Sequence, residues 1–189
     1  VAMSRHLSLG SSGFDLGIFS QALWNSLHGN FLVSSLRGNI SLLGDHFEPI
    51  LILLVPFYAV VPNPIVLLVL QSLFVSLGVI FIYLIGRALG LTRFIIYSFI
   101  IAYSVSRGIR GIAFSDFHLE SFMVPFGFYA LWSLLKGSRF GLVVSVFGLL
   151  LCKETAVFIV LALGFCSSVI FKKQGIGLAL ILLAVCSWF

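Results

Sequence analysis

The chain has 189 residues, of which 60% are hydrophobic and 9% are charged, and its mean hydropathy is +1.19. This apolar share is well above that of an ordinary soluble domain, so composition excludes a soluble globular protein. The net charge of +5 comes from basic residues that lie mostly in pairs at the ends of apolar runs. Because they form no basic stripe, they indicate membrane topology and argue against a nucleic-acid partner.

The apolar runs predict membrane-spanning helices. The stretch between Glu48 and Arg87 carries no charge and is longer than the roughly 20 residues needed to cross a bilayer. Spans in lipid are helices or closed barrels, and these runs do not alternate as barrel strands do. We therefore expect an all-α, polytopic integral membrane protein. The cysteines lie inside apolar runs without metal-ligand spacing, which predicts buried small hydrophobes: Cys152, Cys166 and Cys186.

The beginning of the chain predicts a helix on the membrane surface. Residues 1–13 contain no apolar stretch, so we expect neither a signal peptide nor a first span there, and we interpret the chain as a piece of a longer protein. Residues 14–28 have the pattern of an amphipathic helix, with Leu16 and Leu23 on its apolar face. Such a helix, carrying Trp24 and a polar face, is expected to lie along the membrane surface.

Prolines and charged breaks set the limits of the later helices. Pro62-Asn63-Pro64 interrupts the long apolar run, which predicts an interfacial or re-entrant helix over 49–61 before the first span. Residues 140–171 are too long for one crossing, so two short helices are expected to turn at Lys153-Glu154, below the outer surface. The predicted spans are about 64–86, 93–113, 117–135, 139–152, 155–171 and 174–189.

Charge separates the two ends of these spans. The short breaks "RALGLTR", "KGSR" and "KK" contain basic residues and no acid, so the positive-inside rule makes them cytoplasmic. With that orientation all six acidic residues and all four histidines fall on the other side. The sequence thus predicts a multi-pass protein of the cytoplasmic (inner) membrane with one acidic, polar site on the extracytoplasmic side.

The segment "FSDFHLES" concentrates charge between two apolar runs. If it is helical, Asp116 and Glu120 share a face and His118 points away; if it is a turn, all three can converge. Neighbouring carboxylates suit metal binding or acid–base chemistry. The alternative is that Arg107 and Arg110 neutralise the acids in an interfacial loop.

Three other groups on the acidic side are candidates for chemistry. Asp45, His46 and Glu48 in "DHFEP" have residue types that ligate a divalent ion, and they also suit an ordinary polar loop. Lys153-Glu154 is either a self-neutralising pair or a site where the lysine binds a lipid phosphate. Asp15 is either a carboxylate stabilised by the helix dipole or a catalytic residue.

Four segments together resemble a known group of proteins. In the order of the chain they are "FDLGIFSQALWNSLHG", "HFEPILILLVPFYAV", "FSDFHLESFMVPF" and "LLLCKETAVFIV". They look like a large group of uncharacterised bacterial polytopic membrane proteins of the "DLGIFxQALW" type, and the likeness covers essentially the whole chain. That group in turn resembles the GT-C-fold glycosyltransferases, which include the protein mannosyltransferases and the aminoarabinose transferases of lipid A.

The resemblance implies a GT-C-like helical bundle with juxtamembrane helices at its outer face, of which the first span and the C-terminal part are missing here. It implies that Asp15 is the catalytic carboxylate, and Leu16 stands where these enzymes commonly carry a second acid. Lys153 matches a lysine that docks a polyprenyl-phosphate sugar donor, although Glu154-Thr155 replaces the usual Gly-Pro. A divalent metal ion is left open as a cofactor. The other substrate-binding candidates are Asp116, His118, Glu120, Glu154, Arg107 and Arg110.

Two alternatives to glycosyl transfer stay open. Ionisable residues in a cavity between helices also mark the pathways of transporters, so a transporter with an outward-facing polar cavity is one alternative. The position of every acid on one side favours a one-sided site over alternating access. The other alternative is a non-catalytic, lipid-binding membrane protein that keeps the scaffold.

Overall fold

The computed structural model describes residues 14–114 and 116–188 as apolar helices with one small pair of strands. The predicted helical class is confirmed, and the strands are an addition to it. The helices are α1 (Phe14–Ser26), α2 (Leu42–Asp45), α3 (Ile50–Val60), α4 (Ile65–Ala88), α5 (Arg93–Val105), α6 (Arg107–Phe114), α7 (Glu120–Lys136), α8 (Arg139–Cys152), α9 (Val157–Val169) and α10 (Gln174–Trp188). The strands are β1 (Val33–Ser34) and β2 (Ile40–Ser41), and Ser35–Arg37 and Glu154–Ala156 form single turns of 3-10 helix.

A hairpin follows α1, and β1 and β2 pair in antiparallel register. Its turn has left-handed backbone at Gly38 (φ 76°) and Asn39 (φ 61°), a conformation that these two residue types adopt most readily. Gln21 of α1 fastens the hairpin, because its Oε1 accepts hydrogen bonds from Ser34 Oγ (2.8 Å) and Ser35 N (3.0 Å). Strands of two residues are too short to give an alternating pattern, so the sequence did not predict them.

Helix α4 has the length and composition of a membrane span. Its 24 residues correspond to about 36 Å, against a hydrocarbon core of about 30 Å. Within the described ranges it is the one helix that meets both criteria by itself. The shorter apolar helices are Ile50–Val60, Arg93–Val105, Arg139–Cys152, Glu154–Val169 and Gln174–Trp188.

The structure corrects one predicted helix. We expected one span over 93–113, but the chain breaks at Ser106, whose backbone is extended (φ −61°, ψ 143°), and this gives α5 and α6. The reason is local: Ser106 Oγ accepts a hydrogen bond from Ile109 N (3.4 Å), so the serine caps the start of α6. Helix α5 therefore ends at Val105, and the serine before "RGIRG" caps the start of α6.

The predicted turn at Lys153-Glu154 is present. Helix α8 ends at Cys152, and Lys153 is fully extended (φ −170°, ψ 150°) before the 3-10 turn that leads into α9. The 14 residues of α8 span about 21 Å, which is shorter than the bilayer core. The lysine side chain therefore leaves the backbone at a break between two short helices.

The helices pack in neighbouring pairs, with α4 against α7, α7 against α8, and α9 against α10. Aromatic rings fill the space between them, since Phe122 lies 4.3 Å from Phe74 and 6.0 Å from Phe117, centroid to centroid. At Gly148 an added Cβ would lie only 2.5 Å from the ring of Phe126. The absence of a side chain at this position therefore allows α7 and α8 to approach closely.

Large apolar side chains also cover the outside of the bundle. Phe94 is 81% exposed and Phe140 is 79% exposed, and many aliphatic residues share this outward position. In water so much exposed apolar surface marks an interaction surface. In a bilayer it faces lipid, which agrees with the composition.

Candidate functional site

Polar side chains from segments far apart in sequence meet at one end of the helices. The segments are the start of α1, the loop before α3, the loop before α7, and the break between α8 and α9. We call their charged residues the polar cluster: Asp15, His46, Glu48, His118, Glu120, Lys153 and Glu154.

Lys153 lies between two carboxylates. Its Nζ is 2.6 Å from Glu120 Oε1, a hydrogen bond, and 3.8 Å from Glu48 Oε1. Glu48 is only 4% exposed, whereas the side chain of Glu120 is 41% exposed. The cation is thus held by one accessible and one buried carboxylate.

Burial and charge act in opposite directions on the pKa values here. Burial raises the pKa of Glu48 from its ordinary 4.5 to about 7, although Lys153 and His46 act to lower it. Burial acts to lower the pKa of Lys153, but the hydrogen bond to Glu120 and the nearby carboxylates outweigh it and raise the pKa. Lys153 is therefore charged at neutral pH, while Glu48 changes its charge close to neutrality.

His46 and Glu154 form a second pair beside the first. His46 Nδ1 lies 2.9 Å from Glu154 Oε1, which joins the loop before α3 to the break before α9. Burial acts to raise the pKa of Glu154, but a backbone hydrogen bond and His46 outweigh it, so the pKa is lowered. Glu154 is therefore ionised at neutral pH.

Asp15 faces His118 across a longer gap. Asp15 Oδ2 is 3.9 Å from His118 Nδ1, and the same nitrogen is 2.8 Å from the carbonyl oxygen of Phe117. A carbonyl only accepts hydrogen bonds, so this contact requires the proton on Nδ1. The side chain of Asp15 is 46% exposed, so its carboxylate is open to solvent.

Gln71 supports this end of the site, although it was not among the residues predicted from the sequence. It is fully buried in α4, where its Nε2 donates to the carbonyl of Ile112 (2.8 Å) and its Oε1 accepts from His118 N (2.7 Å). The signal was its amide in an otherwise apolar helix. Buried amides find partners, and here the partners are the backbone of α6 and of the loop that carries His118.

Residues 116–119 form a loop before α7, and the side chains of His118 and Glu120 contact different partners. Asp116 is 6% exposed, and its carbonyl oxygen lies 3.4 Å from Gln71 Nε2. His118 faces Asp15, and Glu120, the first residue of α7, reaches Lys153. These two charged groups, two residues apart in sequence, thus belong to different pairs. Arg107 and Arg110, on the short helix before the loop, are exposed.

The "DHFEP" residues are likewise divided among different partners. Asp45 pairs with Arg37, while His46 and Glu48 pair with Glu154 and Lys153 respectively. Over residues 14–114 and 116–188, no three metal-ligating side chains gather at one point. Metal binding by Asp45, His46 and Glu48 therefore stays a prediction from sequence, without geometric support.

An apolar groove begins at the polar cluster. It has a volume of about 610 Å³, and Glu120 lies on its wall together with residues of α7 and α9 such as Met123, Gly127 and Ile159. Because Glu120 also contacts Lys153, the groove and the cation adjoin. We call it the α7–α9 groove.

Comparison with known proteins identifies a family. The model of the family described as "Predicted membrane protein (DUF2079)" matches residues 5–189. No curated protein and no solved structure matches the chain.

Proposed function

The chain belongs to the DUF2079 family of predicted membrane proteins, and we propose that it is a polytopic membrane glycosyltransferase that uses a polyprenyl-phosphate sugar donor. The observation that carries the proposal is the contact between Lys153 and Glu120 at the end of the α7–α9 groove. A polyprenyl-phosphate sugar has an apolar chain for the groove and a phosphate for the cation. In this proposal the site faces the extracytoplasmic side of the cytoplasmic membrane.

Lys153 has the capacity to bind a phosphate while it keeps its carboxylate partner. An ammonium group has three N–H donors, and the hydrogen bond to Glu120 uses one of them. Glu48, at 3.8 Å, is beyond hydrogen-bonding distance. Protonation of Glu48 near pH 7 removes one negative charge beside the phosphate, so donor binding should strengthen as pH falls through this value.

The proposed reaction is an inverting transfer with Asp15 as general base. Asp15 takes the proton of the acceptor hydroxyl, whose oxygen attacks the anomeric carbon while the bond from that carbon to the phosphate oxygen breaks. The leaving phosphate gains charge, and Lys153 stabilises that charge more in the transition state than in the bound donor. His118, 3.9 Å from Asp15, orients the carboxylate or contacts the sugar.

The test uses full-length protein in nanodiscs and a panel of polyprenyl-phosphate sugars, with release of polyprenyl phosphate as the readout. We expect release in the wild type and a loss of at least about 100-fold in Asp15→Asn, since general base catalysis contributes that much. Asp45→Asn is the matched control, because this carboxylate pairs with Arg37 and not with the polar cluster. Equal activity of Asp15→Asn and wild type would remove the catalytic assignment.

Lys153→Met separates donor binding from the other roles. We expect it to raise the KM for the donor at least tenfold, with Lys153→Arg intermediate, because Arg keeps the charge but not the shape. Absence of release from every donor by folded protein would refute the proposal. Uptake of solutes into liposomes would then favour transport, and retention of donor without turnover would favour a lipid-binding role.

A further inference from the structure

A second groove lies between α8 and α10, and it starts at the opposite end of α8 from Lys153. Its volume is about 480 Å³. Val143, Phe147 and Ala179 are among the side chains that line it, and Arg139 and Gly175 lie at its mouth, where both helices begin. The groove is thus apolar along its length and has a cation at one end. The proposed transfer reaction does not use it.

The mouth of this groove is strongly basic. The last turn of α7 is joined to the turn before α10, because Lys173 Nζ donates a hydrogen bond to the carbonyl of Leu134 (2.6 Å). This contact brings Lys136, Arg139 and Lys172, all exposed, to the same end of the bundle. The sequence has no acidic residue over 121–153 or 155–189, so no acid from these segments balances the charge.

The length of the groove matches one leaflet of a bilayer. It extends along α8 from Arg139 to Leu150, a distance of about 16 Å at 1.5 Å per residue. Half of a hydrocarbon core is about 15 Å. An acyl chain anchored by a headgroup at Arg139 would therefore fill the groove, whereas a spanning helix would need about twice that depth.

We propose that the α8–α10 groove binds an anionic phospholipid of the surrounding bilayer. One acyl chain lies along Val143, Phe147 and Ala179, and the phosphate is bound by the guanidinium of Arg139, which suits the oxygens of a phosphate. Lys136 and Lys172 add attraction without a fixed contact. Basic clusters at the ends of membrane helices attract anionic lipids in this way, and the attraction is about 1 kcal/mol for each basic residue, or about fivefold in affinity.

The experiment places a fluorescent probe in the groove of the full-length protein. Phe147→Trp places an indole on the groove wall. The fluorescence of this indole is obtained by subtracting the emission of protein that keeps phenylalanine at position 147. We add brominated phosphatidylglycerol or brominated phosphatidylcholine of the same chain length to nanodiscs of unbrominated phosphatidylcholine. We expect the added indole to be quenched at lower concentrations of phosphatidylglycerol than of phosphatidylcholine.

Two pairs of variants in the Phe147→Trp background test the two parts of the site. Arg139→Gln should weaken the preference for phosphatidylglycerol by about fivefold, whereas Arg93→Gln, at the start of α5 and away from this groove, should not change it. Ala179→Phe fills the groove and should reduce quenching by both lipids. Leu178→Phe is its control, because Leu178 is 58% exposed and is not on the groove wall.

Two outcomes would overturn the proposal. Equal quenching by the two lipids in otherwise unaltered protein would mean that the basic mouth selects no headgroup. Absence of quenching by either lipid in folded protein would mean that another segment of the protein covers the groove. The glycosyl transfer assay is independent of both results, since no residue of this groove belongs to the polar cluster.

Discussion

Replacement of Glu48 by glutamine should stabilise the protein, in a pH-dependent manner. Glu48 is 4% exposed, and burial raises its pKa to about 7 from 4.5. The folded protein therefore holds a proton on this group at pH values where the unfolded chain has lost it. The stabilisation from this proton is fully present below pH 4.5 and is lost as pH rises through 7.

The size of the effect follows from the shift. A difference of about 2.5 pH units corresponds to about 3 kcal/mol at about 1.4 kcal/mol per unit. Above pH 7 the wild type bears the cost of a buried charge, which the contact to Lys153 at 3.8 Å offsets only in part. Glu48→Gln has no charge to bury, so its free energy of unfolding should exceed that of the wild type by up to about 3 kcal/mol at pH 8.5. Near pH 4 the two proteins should be equal.

The assay is denaturant unfolding of full-length protein in detergent micelles between pH 4 and pH 8.5. Glu154→Gln is a control of opposite sign, because the pKa of Glu154 is lowered and its contribution is present above 4.5 and lost as pH falls through the folded value. A Glu48→Gln variant that is less stable than the wild type at pH 8.5 would refute the reasoning. It would show that attraction to Lys153 outweighs the cost of burial.

Three other predictions concern the scaffold and the cation. Gln71→Leu should cost about 1–3 kcal/mol in the free energy of unfolding, because it removes the hydrogen bonds of a fully buried amide to the carbonyl of Ile112 and to the backbone N–H of His118; Ser72→Ala, which removes a bond within α4 only, should cost far less. Gly148→Ala should lower the free energy of unfolding by about 1–3 kcal/mol, because the added methyl group collides with the ring of Phe126. Gly108→Ala is its control and should not lower the free energy of unfolding, since the added methyl group meets nothing within 4 Å. Release of polyprenyl phosphate should become less sensitive to salt in Lys153→Met, and an unchanged salt dependence would show that the lysine does not bind the donor's phosphate.

Most of the helices were predictable, because prolines and charged residues interrupt the apolar runs of the sequence. The helix predicted over 139–152 is α8, and the break at Lys153 follows from the fact that two charges interrupt a run too long for one crossing. The boundary at Ser106 was missed, because one hydroxyl between two runs of mixed polarity carries little weight beside hydrophobic periodicity. The helix break lies at Ser106 because this serine caps the start of α6.

The sequence predicted that the charged residues of the candidate site gather at one end of the helices, but it did not predict which of them form pairs. Charge segregation indicated that the acids share one end of the molecule, and the contacts of Lys153 with Glu48 and Glu120 agree with this. Which acid meets which base depends on how α7, α8 and the loop before α3 pack, and one sequence contains no information on distances between them. The three residues of "DHFEP" illustrate this, since neighbours in sequence go to three different partners.

The hydrogen bonds of Gln71 make the polar cluster sensitive to the thickness of the bilayer. Helix α4 is about 36 Å long against a core of about 30 Å, and a helix longer than the core is accommodated by tilt or by local thickening of the bilayer, both of which depend on bilayer thickness. Gln71 Oε1 accepts a hydrogen bond from the backbone of His118. A shift of α4 along its axis by the rise of one residue, about 1.5 Å, would therefore displace the loop that carries His118. We therefore expect hydrophobic mismatch to change the 3.9 Å separation of His118 from Asp15, so that lipid chain length becomes a variable of the proposed transfer reaction.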